Sequence, residues 1–134
     1  MARFIVKTEP STYSFADLVR DKKTVWDGIS NPVALRNLGT IKKGDTVIVY
    51  HTGGEKQCVG LAEAASDAYP DPKTKNPKTP VVDLKPEKAL PVPITLAQVK
   101  ADAVLRATAL ARQPRLSVIP LTEAEYKRLL SLGK

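Results

Sequence analysis

The chain has 134 residues and is basic, with 21 Lys and Arg against 14 Asp and Glu and a net charge of +7. This length predicts one domain, over residues 1–134, with a core that needs no disulfides, and the single Cys58 excludes an intrachain disulfide or a cysteine-rich metal site. No apolar run approaches the ~20 residues of a membrane-spanning helix, and Met1–Lys7 lacks the apolar segment of a signal peptide. We therefore expect a cytoplasmic monomer without metal or cofactor, whose surface attracts polyanions such as nucleic acid.

The first half of the chain predicts strands separated by short helices. Ser14 and Asp17 have the spacing of a capping box, and Asn31 followed by Pro32 is a typical helix start. The β-branched run that begins at Thr46 predicts a buried strand. The predicted elements are a strand over Phe4–Lys7, helices over Ser14–Arg20 and Pro32–Leu38, and strands over Thr46–Tyr50 and Gln57–Ala65.

The second half begins with a segment rich in Pro and Lys, residues 70–80, which we predict to be a solvated surface loop. Capping-box spacings recur at Thr95 and Thr122 and predict two further helix starts. The remaining predicted elements are a strand over Val81–Leu90, a helix to about Ala101, a helical turn within Ala103–Leu110, a strand over Ser117–Leu121 and a final helix to Leu132. Without regular βαβ alternation, this order favours an α+β domain on a small, mostly antiparallel β-barrel with short peripheral α-helices.

The only tryptophan, Trp26, lies in the run Val25–Pro32, which we predict to be a loop leading into a helix. Gly28 lets the chain turn tightly, and the indole offers a flat face and an N–H donor. The run suits stacking against a planar ligand. A tryptophan that closes the end of a small barrel is the commoner arrangement, and the run alone does not exclude it.

Two strand ends concentrate polar groups. Lys7 and Glu9 would share a face at the end of the first strand, as a surface ion pair or as a pocket rim. His51 and Cys58 could pair as base and nucleophile across a hairpin, but an inert buried cysteine and a hydrogen-bonding histidine at a barrel mouth are commoner. The sequence alone leaves both pairs open.

A later segment, Leu110–Val118, carries two arginines three positions apart, with a side-chain amide and a hydroxyl close by. Arginine grips phosphate with two hydrogen bonds or stacks on a base, and Gln or Ser can contact base edges. A solvated loop with two surface arginines is the alternative.

The chain carries, in this order, the motifs Lys7–Ser11, Val25–Pro32, Arg36–Leu38, Lys43–Asp45, Tyr50–His51, Val59–Glu63, Tyr69–Asp71 and Arg112–Val118. Together they resemble the motifs of the EVE domain family over essentially the whole chain. This family is similar to PUA and YTH domains, which are small β-barrels with short helices that bind nucleic acid, and YTH domains hold a methylated base in an aromatic cage.

The resemblance implies non-catalytic recognition of a modified base, in DNA or RNA, that is single-stranded or flipped out of its stack. In this role Trp26 would stack on the base, Asp27, Asn31 and Ser117 would bond its edge, and Lys7, Arg112 and Arg115 would hold phosphates. The site residues that the resemblance implies are Lys7, Thr8, Glu9, Trp26, Asp27, Asn31, Asn37, Tyr50, His51, Arg112, Arg115 and Ser117.

The chain departs from the family pattern at three places. Many relatives have Trp where Phe4 stands, an aromatic residue where Thr79-Pro80 stands, and Val-Arg in place of Ile29-Ser30. If these aromatics contact a base elsewhere in the family, this pocket has a different selectivity. Two other functions stay open: an enzyme that acts on a modified nucleotide or RNA through His51 or Glu9, and a protein-interaction module.

Overall fold

A computed structural model of the protein describes residues 1–74, 76 and 78–133. Strands and short helices alternate irregularly along the chain, as the sequence predicts. The strands are β1 (Arg3–Thr8), β2 (Thr24–Trp26), β3 (Thr46–His51), β4 (Gln57–Ala64), β5 (Tyr69–Pro70), β6 (Pro80–Thr95) and β7 (Val118–Leu121). The helices are α1 (Phe15–Asp21), α2 (Pro32–Leu38), α3 (Leu96–Ala101), α4 (Ala109–Arg112) and α5 (Glu123–Leu132), with a 3₁₀ turn at Leu105–Ala107.

The strands of the described chain form one sheet in the order β2-β6-β4-β3-β1-β7, and β5 pairs with β6. Only β1 and β3 pair in parallel; the other pairs are antiparallel, so the predicted α+β class and mostly antiparallel sheet are confirmed. The sheet curls into a half-barrel that is open between β2 and β7. Helix α2 packs against β6 and β7 across this opening, and Nδ2 of Asn37 donates to the Val118 carbonyl at 2.8 Å.

Strand β6 is longer than predicted, because it extends beyond Leu90 to Thr95. Its pairing with β4 slips twice, between Cys58 and Gly60 and between Leu61 and Ala62. The corresponding part of β6 contains three prolines, which cannot donate ladder hydrogen bonds and therefore favour such irregularities. Because bulges bend a strand, β6 can pair with β2 and β5 at one end and with β4 at the other.

Two regions that the sequence predicts as loops contain strand. Trp26 is the last residue of β2 and pairs with Val82, so it does not lie on a free loop. In the loop predicted over residues 70–80, Pro70 belongs to β5 and Asp71 is buried. Pairing with β6, the next strand along the chain, overrides the Pro-rich composition. Lys75 and Pro77 of this predicted loop lie outside the described residues.

Helix starts follow the predicted caps. Side chains of Ser14, Thr95 and Thr122 each accept the backbone N–H three residues on, and each N3 side chain accepts the cap N–H, so all three capping boxes are confirmed. The predicted cap at Asn31 is also present, with Oδ1 accepting the N–H groups of Val33 and Ala34. No helix of the described residues is long and apolar enough to cross a bilayer.

Phe15, the first residue of α1, packs directly on the backbone of β4 at Gly60. A Cβ atom at Gly60 would lie 2.4–2.6 Å from three ring atoms of Phe15. The Phe15 N–H also donates to Nε2 of His51 on β3 at 3.0 Å. These two contacts set where α1 begins on the sheet.

We predict that Gly60→Ala lowers the free energy of unfolding by ~1–3 kcal/mol, because an added methyl group overpacks this contact. Urea denaturation of wild type and variant measures the difference. Gly54→Ala is the matched control: its Cβ would meet no atom within 4 Å, so its stability should stay within ~0.5 kcal/mol of wild type. Equal stability of the two variants would contradict this contact. Adding Phe15→Leu to Gly60→Ala should partly restore the lost free energy of unfolding.

Asp102 ties the 3₁₀ turn to the last helix. Its Oδ1 accepts the N–H groups of Val104 and Leu105 at 2.9 and 3.0 Å, and its Oδ2 accepts Nε of Arg128 at 2.7 Å. The Arg128 guanidinium, followed by the Leu105 N–H, lowers the pKa of Asp102 to about 2. The ionised form is therefore the one that the fold stabilises.

Because the folded pKa of Asp102 lies below that of an unfolded Asp, ~3.9, the stabilisation is complete above that pH and is lost as the pH falls towards 2. We expect Asp102→Asn to be less stable than wild type at neutral pH, and this difference to shrink between about pH 4 and pH 2. Thermal unfolding across this range measures it, with Glu87→Gln, an exposed carboxylate on β6, as control. A difference that does not change with pH would rule out this role.

Candidate nucleic-acid interface

A cavity of about 500 Å³ lies where the end of β1, the turn before α1, and β2 with its following loop meet. This volume falls within the range of small-ligand pockets, ~300–1,000 Å³. We call it the Trp26 cavity. Its lining residues are Lys7, Thr8, Glu9, Thr12, Tyr13, Thr24, Val25, Trp26, Asp27, Gly28 and Ile29.

Trp26 forms part of the cavity wall and is only 6% exposed. Tyr13 packs against it edge to face, with ring centroids 6.3 Å apart and an interplanar angle of 81°. No described residue accepts a hydrogen bond from the indole N–H. The wall therefore offers apolar aromatic surface, which suits a planar ligand.

Lys7 connects the cavity to residues 112–117, the segment that carries the two predicted site arginines. Its ammonium donates to the Pro114 carbonyl at 3.1 Å and lies 5.5 Å from the centroid of the Tyr50 ring, and its backbone N–H donates to the Ser117 carbonyl. Burial lowers the pKa of Lys7, an effect that the nearby Cys58 partly offsets. The predicted site segments at Lys7 and at residues 112–117 are thus brought together.

Each of the two carboxylates that line the cavity has its own partner. Oε1 of Glu9 accepts the N–H and the hydroxyl of Ser11 at 2.9 and 2.8 Å, and these bonds lower the pKa of Glu9. Oδ2 of Asp27 lies 3.4 Å from Nζ of Lys73. The other oxygen of Glu9, Oε2, lies over Gly53, whereas the Asp27 side chain is partly exposed.

His51 lies outside the lining of the Trp26 cavity, in a buried position where both ring nitrogens have partners. Nε2 accepts the Phe15 N–H, so Nδ1 carries the proton that faces Oε1 of Glu55 at 3.0 Å. By holding Phe15, His51 positions the turn that contributes Thr12 and Tyr13 to the cavity.

Other predicted site residues also make structural contacts. Tyr50 is buried in β3, Asn37 bonds the Val118 carbonyl, and Asn31 caps α2. Asn31 also lines, with Arg115, a smaller depression of about 270 Å³ between α2 and residues 113–116. Arg112, the last residue of α4, is exposed. Five of the twelve predicted residues therefore line the Trp26 cavity: Lys7, Thr8, Glu9, Trp26 and Asp27.

Thr12, Tyr13 and Thr24 also line the cavity, although the sequence motifs do not single them out. Tyr13, an aromatic residue directly before the helix cap Ser14, was the one available signal. Of the residues at which the chain departs from the family pattern, only Ile29 lines the Trp26 cavity. Phe4 is buried in the core, and Thr79 lines a larger groove of about 710 Å³ beside α2 and β5.

The site offers little to a metal or to thiol chemistry. Within residues 1–74, 76 and 78–133, no three His, Cys, Asp or Glu side chains come close enough together to hold a metal ion. Cys58 is fully buried, and this burial raises its thiol pKa to about 12. At neutral pH it holds its proton and is not a nucleophile.

The chain is similar to proteins of a known family over almost its whole length. The sequence profile of the EVE domain family matches residues 2–132. Human thymocyte nuclear protein 1 is 31% identical over 145 aligned positions, which cover 90% of this chain and 64% of that protein. The chain thus spans less than two thirds of the length of that relative.

Solved structures of similar proteins have the same fold as this chain. The NMR structure of Rpa0253 from Rhodopseudomonas palustris superposes with a TM-score of 0.94 at 38% identity, covering 99% of this chain and 93% of that one. The crystal structure of human THYN1 protein in complex with DNA containing 5-methylcytosine gives a TM-score of 0.90 at 27% identity, covering 100% and 98%. The fold is that of a PUA-like half-barrel domain. The chain belongs to the EVE domain family, as its motifs predicted.

We predict that Cys58, the single cysteine, does not react with a thiol reagent in the native protein at pH 8 and reacts fully once urea unfolds it. Absorbance of the released thiolate measures the reaction. Rapid labelling of the folded protein would contradict the buried, protonated thiol.

Proposed function

We propose that the chain recognises a modified nucleobase in DNA, held in the Trp26 cavity, and that it does no chemistry on it. The observation that carries this proposal is a cavity of about 500 Å³ with an aromatic wall and polar groups around it, on a protein of net charge +7. The human relative in complex with DNA containing 5-methylcytosine supports the proposal.

The energetics suit a base that has left its stack. Flipping a base costs a few kcal/mol, and least for a damaged or single-stranded base. Contact with an aromatic wall contributes ~1–3 kcal/mol per base. Because this contribution about equals the cost, hydrogen bonds and apolar complementarity decide which base binds, and a methyl group adds about 1 kcal/mol when buried.

Cationic side chains outside the cavity contact the phosphates. Arg112 and Arg115 are exposed, whereas Lys7 already donates to the Pro114 carbonyl. We assign Arg112 and Arg115 to contacts with the phosphate backbone of the bound nucleic acid. We assign Lys7 to the cavity wall, where it orders residues 114–117. Single-stranded RNA is the alternative partner. A monomer suffices for binding, because one chain supplies the whole cavity.

The enzymatic alternative, with His51 or Glu9 as acid or base, is less well supported. His51 is buried with both ring nitrogens hydrogen-bonded. The pKa of Glu9 is lowered by Ser11, so Glu9 is ionised at neutral pH and is a weak base. Both residues fit a structural role better than proton transfer.

Because Trp26 is the only tryptophan, its fluorescence reports on the cavity alone. We expect saturable quenching by single-stranded DNA with one 5-methylcytosine, weaker binding of the unmodified strand, and persistence at moderate salt. An RNA strand of the same sequence tests the alternative partner. Equal, salt-sensitive responses to every strand would indicate nonspecific polyanion binding and would contradict the proposal.

A matched pair of variants locates the binding site by fluorescence anisotropy of labelled DNA. Trp26→Phe should weaken binding of the modified strand selectively, whereas Arg115→Ala should weaken modified and unmodified strands alike and lower the salt dependence. Circular dichroism confirms that both variants are folded. If Trp26→Phe leaves the preference for the modified strand unchanged, the base does not bind beside Trp26.

A further inference from the structure

The polar groups of the Trp26 cavity differ in how far they are already engaged. The Thr8 hydroxyl donates to the Tyr13 carbonyl at 2.6 Å, and the Tyr13 hydroxyl donates to Asp21 at 2.9 Å. Oε1 of Glu9 accepts two hydrogen bonds from Ser11, and its Oε2 lies over Gly53. These groups have strong partners within the protein, so a ligand gains little by competing for them.

Asp27 is held much more loosely. Among the described residues, its carboxylate contacts only Lys73, at 3.4 Å from Oδ2. The Lys73 side chain is 81% exposed and that of Asp27 is 37% exposed, and such surface ion pairs contribute ~0–1 kcal/mol. The carboxylate is therefore available to a hydrogen-bond donor on a ligand.

Its place in the chain sets Asp27 at the edge of a base. Asp27 directly follows Trp26, whose backbone is held in the sheet by pairing with Val82. Gly28 then takes a φ of +78°, a conformation that favours glycine, and the chain turns away from the strand. Trp26 and Asp27 thus line the same cavity. A ring that lies against the Trp26 wall directs its edge, not its face, at neighbouring polar groups.

A carboxylate discriminates among base edges by hydrogen-bond type. When ionised it only accepts, so it bonds an exocyclic amino group and is repelled by a carbonyl oxygen. Cytosine presents an amino donor where thymine presents the O4 acceptor, and Asp or Glu accepts from that amino group in direct readout. Thymine and 5-methylcytosine carry the same methyl group, so a methyl-binding surface alone cannot separate them.

We propose that Asp27 determines base specificity: the Trp26 cavity accepts a base with an exocyclic amino group, such as cytosine or its 5-methyl derivative, and rejects thymine and uracil. The inference rests on the proposed function. It adds the substrate class and the residue that selects it. Lys73 neutralises Asp27 in the free protein and is displaced when the amino group binds.

The test compares two single-stranded DNAs that differ only in one central base, 5-methylcytosine or thymine, by fluorescence anisotropy at fixed salt, with Trp26 quenching recorded in parallel. Wild type should bind the 5-methylcytosine strand about tenfold or more tightly, the size expected for a good base-edge contact. In Asp27→Asn the ratio should fall towards one, because a carboxamide both donates and accepts.

Two controls separate specificity from charge. Glu87→Gln removes one negative charge from β6, outside the cavity lining, and should leave the ratio unchanged. Lys88→Met removes one positive charge from the same strand, also outside the cavity lining, and should preserve the ratio as well. Circular dichroism verifies folding of each variant, and Asp27→Asn loses only one exposed ion pair.

The outcomes are distinguishable. If both strands quench Trp26 and bind wild type equally, while the strand with unmodified cytosine binds more weakly, the inference fails and the proposed function stands. If wild type discriminates and Asp27→Asn keeps the full ratio, another group selects the base and the role of Asp27 is wrong. If neither strand affects Trp26, the proposed function and the inference fail together.

Discussion

The seating of Phe15 on the bare backbone of Gly60 is the contact on which the candidate site depends. It brings the start of α1 onto β4, and the Phe15 N–H is then held by His51 on β3. The turn that precedes α1 must consequently pass over the end of β1, where Tyr13 meets Trp26 edge to face. A core contact thus builds one wall of a surface cavity, because close-packed interiors transmit position to the groups above them.

In the proposed function, charge and shape have separate roles in recognition. The net charge of +7 favours association with any polyanion and carries no information about sequence. The Trp26 cavity, by contrast, is lined by two carboxylates and one lysine, and that lysine is already hydrogen-bonded to the Pro114 carbonyl. Such a lining gains nothing from phosphate. We infer that affinity comes from the exposed arginines and that selectivity comes from the edge of the base.

Local signals predicted most of the elements that position the site. The capping boxes at Ser14, Thr95 and Thr122 and the cap at Asn31 are hydrogen bonds between residues at most three positions apart, so the sequence carries them completely. The family motifs also brought Lys7, Glu9, Trp26 and Asp27 into one predicted site, and the structure places these four around one cavity.

By itself the sequence determined the α+β class, the family, the helix starts and the basic surface, because each depends on composition, ordered motifs or short-range hydrogen bonds. Only the tertiary structure decided that Trp26 ends a strand, that β6 continues through three prolines, and that His51 supports Phe15 outside the cavity lining. These features depend on pairings between residues that are far apart in the chain. Their free energy arises when the sheet curls and packs, and no local pattern encodes it.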